Sequence, residues 1–389
     1  MPIQHIVLFD GIERNHLLPL TATRAVADIR IGIITIKEKW EKHFKLKAEI
    51  LTQDYLQPRY TYHQQENTVF INAAVLPDKE LITVIKKLEN NTVLKDERGI
   101  IAFKTIHPIL TLHDLKSVTE KSNFLIISSS HHLIRFPWNI FTLNGEEIKN
   151  DIQLLGLKPN PEKLSATNTL LGNDIYVEDG VICECSVLNT KEGPVYLGKE
   201  SEIMEGCTIR GPFALGEHST IKMQAKIYGD TSIGPYCKVG GEVSNAVFFA
   251  YSNKGHDGFI GNAVIGEWCN IGADTNNSNL KNNYGKVKAY NYVAKEFIDT
   301  GLQFCGLIMG DHAKSSINTM FNTGTVVGVC ANVFSGDFSP KFIPDFAWGS
   351  NAVFELEKAY EVAQRVMERR NLNLSETDKN ILKYIFENR

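Results

Sequence analysis

Residues 197–239 read LGKESEIMEGCTIRGPFALGEHSTIKMQAKIYGDTSIGPYCKV, and every sixth position is aliphatic: Leu197, Ile203, Ile209, Leu215, Ile221, Ile227, Ile233 and Val239. With roughly one residue in four being Ile, Leu or Val, eight successive hits arise by chance about once in 10⁵ trials, so the period belongs to the fold. Period six matches neither the 3.6 of a helix nor the alternation of an ordinary strand. It fits a solenoid in which each hexapeptide makes one short flat side and its aliphatic residue turns inward onto the equivalent residue one coil on. Gly198, Gly216, Gly234 and Gly240 each follow an inward position, where a small residue lets the chain turn. Neighbouring coils supply the core that one coil lacks, so stability comes from stacking. Phe259, Ile265 and Ile271 resume the period after a break at 242–257, and Met309, Phe321, Val327 and Val333 share a later register with Ser315 as its exception.

The texture differs on both sides of this run. From residue 1 to about 155, apolar runs such as IQHIVLF, NTVFINAAVL and NFLIISSS alternate with helical stretches such as KELITVIKKLENN, which predicts a layered α/β (Rossmann-like) domain. GLKPNPEKLSATN, with two prolines, reads as a linker into a solenoid spanning 156–351. The segment 352–389 restores amphipathic helix, expected to cover the exposed edge of the last coil or to dock on a neighbour.

Composition narrows the class. At 389 residues, 43% hydrophobic and 22% charged, the chain has the profile of a soluble two-domain protein. A formal net charge of -4 without a long basic run argues against nucleic-acid and membrane partners. The start MPIQHIVLFDG lacks the pattern of a secretory signal, and seven cysteines without a CxxC pair fit reduced thiols, so a cytoplasmic location is expected.

Within the solenoid, residues 252–277, SNKGHDGFIGNAVIGEWCNIGADTNN, set Lys254, His256 and several asparagines among the aliphatic positions. A long insertion, DTNNSNLKNNYGKVKAYNYVAKEF, follows, so irregular backbone lies beside His256. Loops on a rigid scaffold are where binding groups concentrate.

The succession Gly255-His256, Ile260-Gly261, Ile265-Gly266 and Asn270-Ile271-Gly272-Ala273, all on hexapeptide coils, resembles the acetyltransferase half of the bacterial bifunctional enzyme family that makes UDP-N-acetylglucosamine. That family joins a glucosamine-1-phosphate N-acetyltransferase to an N-acetylglucosamine-1-phosphate uridylyltransferase; a shorter bacterial variant, described as a sugar nucleotidyltransferase, is more similar still. The resemblance implies a nucleotidyltransferase-like α/β domain followed by a left-handed parallel β-helix, assembled as a homotrimer, with acetyl-CoA as cosubstrate. It implies that His256 is the general base that deprotonates the amine of an amino-sugar 1-phosphate. An imidazole suits that task, and such a base contributes about 10²- to 10⁴-fold. Asn270 matches the asparagine that positions the sugar, and Ala273 the residue whose backbone N–H faces the thioester oxygen. Lys286 lies near the family's phosphate-binding lysine, and Lys254 is a further expected substrate contact. Phe259 stands where the family has a tyrosine.

The first domain departs further from the pattern. Sugar nucleotidyltransferases open with a glycine-rich loop of the form GxGTRM, and the corresponding run here is LFDGIERNHLLPLTATRAVADIRIG. Gly11 survives and Arg14 matches the loop arginine, but Ile12 and Glu13 replace the other glycines, and Glu13 would repel phosphate. Arg24 and Arg30 are the candidates to replace the missing lysine, unless Arg24, Asp28 and Arg30 pair with one another at helical spacing. Asn72 stands where a magnesium-binding carboxylate is usual, with Asp10 or Asp28 as substitutes, so Mg2+ is expected only if the domain is active.

The resulting expectation is an enzyme of nucleotide-sugar synthesis: N-acetylation by the solenoid, and nucleotidyl transfer from UTP or dTTP to a hexose 1-phosphate by the first domain. The alternative is a non-catalytic nucleotide-sugar-binding or assembly scaffold. A zinc carbonic anhydrase, another activity of such solenoids, would need three convergent histidines, and His218, His256 and His312 lack close spacing.

Overall fold

The computed structural model describes residues 3–63, 68–107, 109–120, 122–128 and 131–389. Contacts divide the chain into two compact units: one of Met1–Leu17, Thr23–Ile29 and Ile34–Phe136, the other of Leu18–Ala22, Arg30–Ile33 and Pro137–Arg389.

The first unit holds β1 (His5–Phe9), α1 (Glu13–His16), α2 (Ile36–Phe44), β2 (Ala48–Leu51), β3 (Thr68–Asn72), α3 (Lys79–Lys86), β4 (Thr92–Asp96), β5 (Gly99–Lys104), α4 (Leu112–Glu120) and β6 (Asn123–Ile126). Its sheet runs β2-β1-β3-β5-β4-β6. β1 lies parallel to β2 and β3, while β5 is antiparallel to both β3 and β4, so the sheet is mixed. The apolar runs read as strands are β1, β3 and β6, and both β1 and β3 are buried throughout, as central strands require. Phe70 and Phe103 stack face to face at 4.7 Å across β3 and β5. Thr35 caps α2 with a reciprocal Thr35–Glu38 capping box. The stretch LTATRAVADIR is not a helix: it holds one short turn, Val26–Asp28.

The second unit is a parallel β-solenoid. One inward stack contains Val177, Leu197, Leu215, Ile233, Phe248, Ile265, Met309, Val327 and Ile343, each in register with the next. A second contains Cys183, Ile203, Ile221 and Val239, and a third contains Leu188, Ile209, Ile227, Val243 and Ile260. Coils of 18 residues, as from Leu215 to Ile233, give way to one of 15 between Ile233 and Phe248. That shortening puts Val243 inward where the strict period pointed to Asn245, and it makes Ile260 the inward residue beside a half-buried Phe259. The close spacing of coils is what demands glycine: a Cβ on Gly234 would lie 1.3 Å from the Phe249 carbonyl oxygen.

One corner of each coil takes a left-handed backbone at a non-glycine residue, with φ between 55° and 60° at His218, Tyr236, Tyr251, Trp268 and His312. Their rings stack in succession, Tyr251 on Trp268 at 4.1 Å. Stacked aromatic faces offset the cost of that backbone. α5 (Pro137–Leu155) packs on the solenoid strands Glu242–Phe248 and Phe259–Ile265. Its Asn144, fully buried, accepts from Gly32 N at 2.8 Å and donates to Asp230 O at 2.9 Å. α6 (Leu356–Glu368) and α7 (Glu376–Glu387) follow. They meet the last coil through Phe346 and Phe386 rings at 5.1 Å, and just after α6 Arg370 Nη2 donates to Tyr236 O at 3.1 Å. The tail thus runs back along the aromatic corner as well as meeting the end.

Candidate active site

The solenoid carries an open groove of about 500 Å³ lined by Met204, Lys222, Met223, Gly241, Gly255, His256, Asp257, Ala273 and Asp274. Its position follows from the shortened coil: after Val239 the chain passes Gly240 and Gly241, and one coil later Lys254-Gly255-His256-Asp257 makes the same corner. His256 is exposed there. Ala273 and Asp274 come from the next coil, which is tied to it by Asp274 N donating to Asp257 O at 3.1 Å. Met204 and Met223 form an apolar wall, and Lys222 puts a half-buried cation beside it. Sequence reasoning missed these three, whose one signal was their place one or two residues after inward Ile203 and Ile221.

Of the predicted substrate residues, His256 and Ala273 share this groove. Asn270 does not line it: it is exposed on the flat side before the corner, bridged to Asn253 and Lys314 in the coils on either side. Lys286 is exposed on the insertion whose hairpin pairs Lys288–Asn291 with Glu296–Asp299, and it is not among the groove residues. Lys254 corrects an expectation outright. It stands in register with Val239 inside the second stack, 1% exposed, its Nζ donating to Gly240 O at 3.0 Å and His256 O at 2.8 Å, so it cannot reach substrate.

Burial pushes the Lys254 pKa down to about 8, against the opposing pull of Asp257 and Asp274. A lysine whose folded pKa is depressed leaves the unfolded chain holding more protons between pH 8 and the usual lysine value, so stability rises with pH across that window. Folded-state stability is expected to climb by up to about 3 kcal/mol there, a gain that denaturant melts should find missing in Lys254→Met.

In the first unit, Asn72, Glu13, Asp96, Arg98, Gly99 and His131 line a narrow crevice. A Cβ on Gly11 would lie 2.4 Å from Glu13 Oε2 and 2.7 Å from Asn72 Nδ2, so the surface a phosphate would approach is filled by side chains. Asn72 uses both ends of its amide: Nδ2 donates to Glu13 Oε2 at 3.1 Å and Ile100 O at 3.0 Å, and Oδ1 accepts from Ala74 N at 3.0 Å.

Arg14 is likewise occupied. It is buried with Nε 3.6 Å from Asp10 Oδ2, Nη2 donating to Tyr55 Oη at 2.5 Å and Nη1 to Asn15 Oδ1 at 2.9 Å, which corrects its assignment to a nucleotide. Arg24 is 4% exposed. Arg30 belongs to the solenoid unit, where it donates to Ile33 O, whereas Gly11, Arg14, Arg24 and Asn72 belong to the first unit. Asp10 is fully buried, accepting from Thr52 Oγ1 at 2.5 Å and Val26 N at 2.8 Å; burial pushes its pKa up to about 6, with Arg14 pulling it back. Asp28 accepts from Tyr60 Oη at 2.7 Å.

These engaged groups do not fit a magnesium ion. No group of three or more His, Cys, Asp or Glu suited to a metal occurs among the described residues. Sequence reasoning missed the cluster in which Asp96 accepts from Arg98 Nε at 2.8 Å while Arg98 Nη2 donates to His131 O at 3.0 Å. Burial, then Arg98, push the His131 pKa down. The signal was the turn Asp96-Glu97-Arg98-Gly99 joining β4 to β5. No helix among the described residues is long and apolar enough to cross a membrane.

Comparison with known proteins bears on both units. Residues 6–158 match the model of a family described as sugar nucleotidyl transferase. The bifunctional protein GlmU of Synechococcus elongatus is 24% identical over 218 residues, 53% of this chain and 44% of that one. A bifunctional sugar-1-phosphate nucleotidylyltransferase/acetyltransferase of Sulfurisphaera tokodaii is 29% identical over 202 residues, 51% of this chain and 44% of that one. The chain thus spans less than half the length of these two relatives. Among solved structures, the polySia-specific acetyltransferase NeuO aligns with 48% of this chain and 84% of its own at 14% identity and a TM-score of 0.27.

Proposed function

We propose that the chain works in nucleotide-sugar synthesis, its solenoid groove transferring an acetyl group from acetyl-CoA to the amine of an amino-sugar 1-phosphate. The observation that carries this is the exposed imidazole of His256 on an open groove with an apolar methionine wall and a lysine at its side. His256 takes a proton from the amine as nitrogen attacks the thioester carbonyl, and returns it to the departing thiolate. The Ala273 N–H is the donor proposed for the oxygen that gains charge. Met204 and Met223 suit the aliphatic arm of the thioester, and Lys222 a phosphate. Asn270 and Lys286 stay in the proposal only as residues of a neighbouring copy's site in a homotrimer.

For the first unit the family match supports nucleotidyl transfer to a sugar phosphate, and the substrates proposed for it are UTP or dTTP and a hexose 1-phosphate. The filled surface over Gly11 and the engaged Asn72 favour a second reading, in which this unit binds a nucleotide sugar without turnover. Purified protein with acetyl-CoA and glucosamine 1-phosphate should release thiol. With UTP, magnesium and N-acetylglucosamine 1-phosphate, pyrophosphate release supports the first reading of the N-terminal unit and its absence the second. No thiol release would remove the acyl-transfer proposal and leave an assembly scaffold.

A further inference from the structure

The second inward stack of the solenoid is interrupted by one ammonium. Lys254 follows Val239 in register and precedes Ile271, whose neighbour Asn270 bridges Asn253, so its side chain lies where its neighbours in the stack are apolar. Desolvating an ammonium there is costly, and an apolar residue would pack without that cost. What the lysine adds is two charge-assisted hydrogen bonds to carbonyls: Gly240 O one coil below at 3.0 Å, and His256 O at 2.8 Å. The space for Nζ is itself provided, because Gly241 has φ +72° and a Cβ there would come within 2.8 Å of Nζ.

The peptide held in this way begins with Gly255, which meets no atom within 4 Å of its Cβ position and so has no side chain to fix it. Downstream, Asp257 O accepts from Asp274 N. The His256 backbone is therefore tied on both sides, by Lys254 from inside the coil and by Asp274 from the coil above, while its ring is left in the groove. We propose that Lys254 is a positioning residue, retained inside the stack to hold the His256 peptide so that the imidazole projects into the groove. This rests on the acyl-transfer reading of the groove, in which His256 is the base. Asp257 and Asp274 are the charged groups that act on the ammonium, and both favour its protonated form.

Lys254→Met keeps the length and volume of the side chain and removes the donors; Lys254→Gln keeps an amide donor one atom shorter. With histidine labelled at the ring and His256 assigned by its loss in His256→Asn, Lys254→Met is expected to shift and broaden the His256 ring signal. The same variant should melt at or above the wild-type temperature at pH 7, lower kcat for thiol release at least tenfold, and leave the KM for acetyl-CoA within twofold. Lys254→Gln should fall between the two in ring signal and kcat. An unchanged ring signal with kcat within twofold overturns the proposal, as does a fall in melting temperature that accounts for the lost activity. If the wild type releases no thiol, the acyl-transfer reading fails by itself, and the ring signal alone decides whether Lys254 holds His256.

Discussion

Replacing His256 by alanine is expected to lower kcat for thiol release by about 10²- to 10⁴-fold, the contribution of a positioned general base. The ring is exposed and the backbone is held by Lys254 Nζ and by Asp274 N, so stability should change by no more than about 0.5 kcal/mol. The KM for acetyl-CoA should stay near the wild-type value, because Met204, Met223 and Lys222 remain. Stopped assays with the amino-sugar phosphate measure kcat and KM, and denaturant melts measure the stability. A variant with undiminished kcat would show that the base lies elsewhere.

The second large effect belongs to Arg14. Its guanidinium is buried against Asp10 and Tyr55, so Arg14→Met leaves Asp10 without its cation in a fully buried position, where it either stays charged at a cost or takes up a proton. Breaking a buried pair from one side costs about 3–5 kcal/mol, and the loss should be felt across β1 and β2, since Asp10 N donates to Leu51 O and its carboxylate ties Thr52. Hydrogen exchange of the β1 amides should accelerate accordingly. Arg14 is what pulls the Asp10 pKa back toward about 6, so the variant takes up the proton at higher pH than the wild type; lowering the pH below 6 should shrink the difference, because the buried carboxyl is then neutral in both proteins. Unchanged exchange combined with lost UTP binding would return Arg14 to the nucleotide.

The solenoid was legible because its core has one physical requirement, an aliphatic residue per side, and Leu197 through Val239 meet it without exception. Legibility ended where the coil shortened. Nothing in the order of residues announces that a coil of 15 follows coils of 18, so the stretch after Val239 reads as a break although Val243 continues the stack, and Phe259 takes the place in the period that Ile260 holds in the fold. Lys254 was misread for a related reason: a lysine in a polar stretch is ordinarily solvated, and only the register of coils reveals that its side chain turns inward onto two carbonyls. His256 and Ala273 were found through resemblance, whereas Lys222, Met204 and Met223 sit in a run that reads as plain scaffold.

In the first unit, the match at Arg14 could not disclose that Asp10 and Tyr55 occupy its donors, because Tyr55 lies 41 residues away in sequence. The same distance effect hid the cluster of Asp96, Arg98 and His131, assembled from β4, the turn after it and the segment before α5. The departures that were visible, Glu13 and Asn72, proved to be bonded to each other.

A crystal of the chain soaked with coenzyme A and an amino-sugar 1-phosphate addresses the acyl-transfer site itself. The amine nitrogen should stand within hydrogen-bond distance of the His256 imidazole, with the thiol arm against Met204 and Met223. Ligand density confined to another face, with His256 facing only solvent, would contradict the assignment.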